Sequence, residues 1–370
     1  MTRVAVSGGS IGGLGAGVAL HRAGIDVHVF ERDAGPLRST GAGLVVQSEL
    51  LALVQGVGAR LPMTQCSGRR YLGFGGNTGP LQPMPQQFTS WDAVHQTLLH
   101  ELPQERYHRG AAIEVLEQND RGVTVSVAGD AVFDADVLIA ADGAQSPTRR
   151  RLFPDLEADY AGYVAWRGTV DERDLPPDLI AAFDDIFTFS DARSGGHALA
   201  YFIPGDGLAT GVGHRRLNWV WYVGATAAER DALLVTREGQ HRRSSLGRGM
   251  ARDEAVADLI RKAPLELHPW FARLVEATPD PFLQTIVDLA VPRSVVGRTV
   301  LIGDAAFVVR PHTAGGAAKA ARDALAIARA LSDGPSNVDA ALASFERQQI
   351  AYGRELLRYG IQLGQQWARL

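Results

Sequence analysis

The sequence predicts an α/β protein in which a Rossmann-like parallel sheet is interleaved with a mainly β-sheet unit and followed by a carboxy-terminal helix. Three observations carry that reading. A short apolar strand leads through a glycine-rich turn into a helix and a second strand, all before residue 32. Two more apolar strands, far apart in the chain, each end in an acidic turn motif. The segments between them are rich in β-branched and aromatic residues at strand spacing.

The first strand runs from Arg3 to Ser7 and enters Gly8-Gly9-Ser10-Ile11-Gly12-Gly13-Leu14. A helix follows through Ala23, Gly24 stops it, and Asp26 to Phe30 forms a second strand ending at Glu31. This is a βαβ unit whose tight turn brings a pyrophosphate to the backbone amides of a helix N-terminus. In the Gly-x-Gly-x-x-Gly pattern the three positions fall on Gly8, Ser10 and Gly13, so a serine replaces the middle glycine. Glu31 stands where an acid takes ribose hydroxyls. The competing reading is a glycine-rich turn without ligand, and the motif alone does not separate FAD from NAD.

Val137 to Ala141 is the next apolar strand, and it ends in Asp142-Gly143-Ala144-Gln145-Ser146-Pro147-Thr148-Arg149. Val300 to Ile302 is another, ending in Gly303-Asp304-Ala305-Ala306. Pro311-His312 and the small residues Ala314 to Ala318 then precede a long helix towards Leu331. An acid at a strand's carboxyl end accepts from a ribityl hydroxyl, and a helix N-terminus beyond it offers amides to an anionic ring. Asp288, by contrast, has no such setting. Singly, each of these motifs is a common turn.

Together, the three motifs resemble the class A flavin-dependent aromatic hydroxylases, the p-hydroxybenzoate hydroxylase family. That family carries a glycine-rich βαβ, then Asp-Gly-x-x-Ser-x-x-Arg, then Gly-Asp-Ala-Ala before a helix. Asp142, Gly143, Ser146 and Arg149 match the middle pattern in full. The stretches Gly43 to Gln47, Tyr160 to Gly168 and Arg310-Pro311-His312 are similar to its 2,6-dihydroxypyridine 3-hydroxylase branch. The resemblance implies a glutathione-reductase-type FAD-binding domain over 1–70, 98–158 and 285–335. A substrate domain would take 71–97 and 159–284, and a helix over 336–370 would pack on the FAD domain. Non-covalent FAD would be held at Gly8, Ser10, Ile11, Gly13, Glu31, Arg32, Val45, Asp142, Asp304, Gly315 and Gly316. Glu31 would bind the adenosine ribose and Asp304 the ribityl chain. The sequence departs from the family at Phe307, at Trp91, and in Ala314 to Lys319, where glycines and alanines replace the usual polar residues.

Tyr71 to Phe74, His197 to Ile203 and Leu217 to Gly224 read as strands of a sheet roofing the flavin ring. Aromatics alternate in Asn218-Trp219-Val220-Trp221-Tyr222, so one face packs on a core and the other lines a cavity. Substrate contacts are expected from Tyr201, Tyr222, Pro311 and His312, with His197 and His214 as further polar candidates. His312 is the expected catalytic residue, accepting a proton from a ring hydroxyl. The basic stretch His241 to Arg248 has no periodicity and reads as a solvated loop.

The reaction implied is hydroxylation of a small hydroxylated aromatic or N-heteroaromatic ring by NAD(P)H and O2, through a flavin C4a-hydroperoxide. NADH or NADPH would bind only transiently. A same-fold oxidoreductase or epoxidase on a non-aromatic substrate, or a non-catalytic flavin-binding protein, stays open. Composition narrows the rest. Cys66 is the single cysteine, which excludes a disulfide reductase, and no spacing suggests a metal. The net charge of −4 argues against nucleic acid, and no apolar run is long enough to span a bilayer. The opening residues do not read as a signal peptide, so a cytoplasmic monomer or homodimer is expected.

Overall fold

The computed structural model describes residues 2–35, 37, 43–128, 131–332 and 338–367. Arg3–Ser7, the helix Ile11–Arg22 and Asp26–Glu31 form the expected βαβ unit. These strands lie in a six-stranded sheet. Its order is Val295–Val296, Thr299–Leu301, Val137–Ala140, Arg3–Ser7, Asp26–Glu31 and Tyr107–Arg109, parallel except for the first pair. Val4, Val6, Val137, Ile139 and Val300 are fully buried, as a sheet covered on both faces requires. One face carries the helices Ile11–Arg22 and Gly316–Ser332, the other a three-stranded antiparallel meander starting at Ile113–Gln118.

The larger sheet has ten strands. Its longest strand, Asp159–Asp171, pairs with Phe282–Ala290 on one side and Arg216–Gly224 on the other, after which His197–Ile203 and Ile186–Asp191 follow in turn. His197 to Ile203 is a strand with the bounds read from the sequence. Tyr71 to Phe74 is not. The strand is Thr64–Leu72, and Phe74 lies half-exposed in the turn that follows. The error arose because Gln65 and Ser67 face solvent, so the strand's first half carries little apolar signal. The sheet also takes in Gly43–Val45, which pairs with Gln82–Ser90, while Trp91–His100 packs into the core beneath the parallel sheet. The loop His241 to Arg248 contains one bridge and a two-residue strand, Ser245–Leu246.

Because side chains alternate across a strand, the register decides what this sheet's two faces present. Trp166, Trp219, Trp221, Ala198 and Phe202 point to one side and form a core with Leu179, Phe183 and Phe271. Trp219 is fully buried, and its indole N–H donates to Thr278 Oγ1 at 2.8 Å. The opposite face carries Ala165, Arg167, His197, Tyr201, Val220 and Tyr222 and looks towards the parallel sheet.

The helix Val338–Trp367 closes the molecule against Gly316–Ser332 and the segment around Pro311–Thr313. Its contact face is notched by glycine. A Cβ on Gly353 would lie 2.6 Å from ring carbons of the buried Phe307, one on Gly360 3.2 Å from Thr313, and one on Gly364 2.5 Å from Arg310 Nη1. No helix among the described residues is long and apolar enough to cross a membrane. Gly353→Val should lower the denaturant midpoint by an amount equivalent to about 1–3 kcal/mol, as overpacking against a rigid neighbour does. An unchanged midpoint would show that this helix is not seated as described.

Candidate active site

The acidic motifs gather at the carboxyl ends of the parallel strands. The first turn is tight: Gly8 has φ +104°, and a Cβ there would sit 2.4 Å from Ala141 O. A Cβ on Gly13 would sit 1.9 Å from Gly8 O, so only glycine is tolerated at either place. Ser10 starts the helix in extended conformation, and its hydroxyl makes no capping bond. The Ile11 side chain is buried in the core, which leaves its backbone to meet a ligand. Glu31 is buried, and its two carboxylate oxygens accept from the N–H groups of Gly9 and Asp33 at 2.8 and 2.9 Å. Arg32 is largely exposed beside Asp33. His95 Nε2 lies 3.1 Å from Gly9 O, to which Tyr107 also donates, and Trp91 stacks on His95.

Asp142 accepts from Thr148 N through Oδ2, and its Oδ1 is buried with no partner. Ser146 caps the short helix Pro147–Leu152. Arg149, the last residue of that motif, is a strut and not a ligand. It is buried and donates to the carbonyls of Asp304, Ala305 and Ala144. The Gly303–Ala305 turn is held from its other side as well. Gly303 N–H donates to Asp323 Oδ2 at 2.8 Å, and Lys319 Nζ donates to Gly303 O at 3.3 Å. Lys319 and Asp323 are themselves a buried pair at 2.6 Å. Asp304 is left facing the open trough without an ion pair among the described residues. Crowding by surrounding protein raises its pKa, against the pull of Lys319 and Arg149.

These features fit FAD. Glycine contacts make a cradle that a Cβ would fill, Asp142 offers a buried unpartnered oxygen, and Asp304 presents a carboxylate at the trough floor. Gly315 and Gly316 stand at the start of the Gly316–Ser332 helix, where Ala314 adopts a left-handed φ of +50°.

Where the trough meets the large sheet there is a cavity of about 490 Å³. Asp304, Pro311, His312, Gly315 and Gly316 border it beside the parallel sheet's last turn, and Val45, His197, Tyr201 and Tyr222 border it from the large sheet. His214 does not join them; it lies exposed in a turn before Arg215, because the strand begins only at Arg216. Tyr163 was not singled out by sequence, yet its hydroxyl lies 2.8 Å from His312 Nε2. Arg310 packs against Tyr163 and forms a buried, multiply bonded pair with Asp288. Asp288 therefore has a setting that the sequence did not reveal. Arg69 and Arg167 also line the cavity, each bonded to an amide oxygen, of Gln86 and Gln284, and among the described residues not to a carboxylate. Their signal was available only as the two-residue spacing of Arg69 with Tyr71 and of Arg167 with Ala165. Gln47 braces the carbonyls of Thr313 and Ala314.

Burial shapes the protonation states. Desolvation, helped by the neighbouring His312, pushes His197 down to about 3. Desolvation and then Arg310 push His312 down to about 4. Burial pushes Tyr201 and Tyr163 up to about 12 and raises Tyr222 as well. Both imidazoles and all three phenols are thus neutral near pH 7.

A scan of family models matches residues 160–288 to an FAD binding domain-like family. The chain is 35% identical over 360 residues to the 2,6-dihydroxypyridine 3-monooxygenase of Paenarthrobacter nicotinovorans, covering 96% of this chain and 89% of that one. It is 25% identical to the 6-hydroxynicotinate 3-monooxygenase of Pseudomonas fluorescens over 93% of this chain and 86% of the other. The solved structure of 2,6-dihydroxypyridine-3-hydroxylase from Arthrobacter nicotinovorans superposes with a TM-score of 0.93 at 33% identity. That match covers 99% of this chain and 93% of the other.

The two histidines make a pH prediction. Their folded pKa values lie below the unfolded value of about 6.5, so the unfolded chain binds more protons below that pH. Stability should therefore fall as pH drops from about 6.5 towards 4. Melting temperatures of His312→Gln should fall less steeply over this window than those of the parent. Parallel curves would place His312 in a wetter setting than the one described.

Proposed function

The chain belongs to the class A flavin-dependent aromatic hydroxylases, and on that premise we propose that its cavity takes a small hydroxylated N-heteroaromatic or aromatic ring. It is an FAD-dependent monooxygenase supplied with electrons by NAD(P)H. Relatives named for hydroxylated pyridine rings support the heteroaromatic choice. The observation that carries the reading is the shared cavity, which Asp304, His312 and Gly316 border from the cofactor side and Tyr222 from the sheet. About 490 Å³ suits a single ring beside the flavin head, within the usual range for small-molecule sites.

When bound, FAD would supply the redox chemistry that the side chains lack, namely hydride acceptance and O2 activation. In this proposal the chain does the holding. Glu31 takes the adenosine ribose, Gly8, Ser10 and the backbone at Ile11 and Gly13 take the pyrophosphate, and Arg32 flanks its mouth. Asp142 and Asp304 take hydroxyls of the linking chain, and the backbone at Val45, Gly315 and Gly316 meets the flavin ring. Phe187, Phe189, Leu199 and Val220 give the cavity apolar walls that keep water from the reacting atoms. Tyr201, Tyr222, Pro311 and His312 fix the substrate ring so that one carbon faces the flavin. A cytoplasmic monomer or homodimer is the expected form.

Two measurements test this. Purified protein should bind FAD non-covalently and oxidise NAD(P)H faster when a hydroxypyridine is added, yielding a product with one more oxygen atom. Asp304→Ala should weaken FAD affinity roughly tenfold to a hundredfold, the worth of a charge-assisted hydrogen bond of about 1.5–3 kcal/mol. No substrate-stimulated oxidation across hydroxylated rings would remove the proposed activity, and undiminished FAD affinity would remove Asp304 from the site.

A further inference from the structure

The register of the large sheet lays out the cavity floor in rows. Arg167 pairs with Val220 on one neighbouring strand and with Phe282 on the other. Val220 pairs with Leu199, Leu199 with Phe189, and Phe189 with Tyr71. Paired residues share a face, so a largely apolar row crosses the floor with one guanidinium set into it. The row on one side carries Ala165, Tyr222 and His197, and the row on the other Thr169, Asn218 and Tyr201. A flat ring lying over Val220 and Leu199 would have a phenol to either side and Arg167 at its edge.

Arg167 is tethered at one corner. Its Nη1 donates to Gln284 Oε1 at 3.1 Å, a neutral acceptor, and its Nε is buried with no partner. Nε–H and Nη2–H lie along one edge of the planar guanidinium, the edge that meets an anionic oxygen or both oxygens of a carboxylate. Asp304 is the cavity's carboxylate among the described residues, and it stands on the cofactor side. Arg69 does not converge on the same spot. Its strand lies four strand spacings away, about 19 Å across the sheet, where it packs over the rings of Phe187 and Phe189. Burial raises the phenols of Tyr201 and Tyr222, and Arg167 is the charge that pulls both back. A cation without a counter-charge in an apolar floor is costly once ring and flavin displace the water around it. An anion arriving with the ring removes that cost.

We propose that Arg167 is a specificity-determining residue that selects ring substrates bearing an anionic oxygen, either a carboxylate or an ionised hydroxyl. The ring part rests on the hydroxylase reading; the anion part rests on the floor's charge. The anionic group sits at the end of the apolar row nearest Asp159–Asp171, which fixes how the ring is turned beneath the flavin. A neutral ring of the same size is disfavoured because it leaves the guanidinium desolvated and unmatched.

The test uses the FAD-loaded protein and near-isosteric pairs that differ in charge, 4-hydroxybenzoate against 4-hydroxybenzamide and 6-hydroxynicotinate against 6-hydroxynicotinamide. Calorimetry at neutral pH should show the anion binding roughly tenfold to a hundredfold more tightly, as a charge-assisted hydrogen bond does. In a second arm, 4-nitrophenol is titrated into the protein at pH values on both sides of its ionisation. A preference within the pairs assigns the carboxylate, and one confined to nitrophenolate assigns the ionised hydroxyl. No preference for any anion by the wild-type protein would overturn the proposal, whether or not a variant folds. Arg167→Gln should bring each preference to near parity, and Arg167→Lys should keep part of it, since lysine keeps the charge and loses the fork. A preference that Arg167→Gln leaves intact would also overturn the proposal. So would a folded Arg167→Gln protein that loses FAD affinity, since the guanidinium would then serve the cofactor. Anion selection with no ring hydroxylated would sink the hydroxylase reading and leave the anion site standing.

Discussion

A three-residue turn, Gly303–Ala305, is held by charged side chains bonded to its backbone, and the site is built outwards from it. Lys319 and Asp323 grip the carbonyl and the amide of Gly303, while Arg149 reaches across to the carbonyls of Asp304 and Ala305. Gly303 has φ +57°, a conformation in which most residues are strained. A buried pair such as Lys319–Asp323 brings little net stability, because desolvation of both ions offsets most of their attraction. Its effect here is geometric. It joins the end of the last parallel strand to the helix that begins at Gly316, so the carboxylate of Asp304 and the helix N-terminus keep one fixed relation.

The large sheet works by the same economy of position. Its alternation sends tryptophans to a helix-covered core and sends Tyr222, Tyr201, His197 and Arg167 to the cavity. A one-residue slip in register would exchange these sets, placing tryptophan in the cavity and arginine in the core. The many pairings along Asp159–Asp171 therefore guard the chemistry as well as the fold. Burial beside this face lowers both imidazoles, with His312 adding to the effect at His197 and Arg310 adding to it at His312.

Much of this was legible from local pattern. The βαβ unit, the strand His197–Ile203 and the Trp219–Tyr222 alternation depend on neighbours in sequence, and periodicity reports such neighbours directly. What escaped was non-local. Arg149 completes a sequence motif, but its carbonyl partners lie 155 and 156 residues away. Asp288 looks isolated until Arg310 folds back upon it, and Tyr163 gains meaning only beside His312. The polar first half of Thr64–Leu72 hid a strand because its exposed edge carries no apolar signature.

The glycine notches of the last helix have a consequence for how the site is timed during synthesis. Gly360 and Gly364 seat against Thr313 and Arg310, so the segment bearing His312 acquires its backing only when the final two turns of described helix are in place. Until then the parallel sheet has all its strands, yet the Pro311–Thr313 segment of the cavity wall lacks its support. A ribosome-bound or carboxy-terminally clipped chain would thus own a cofactor trough without a sealed reaction chamber. The helix Val338–Trp367 is thus what backs the His312 wall of the cavity.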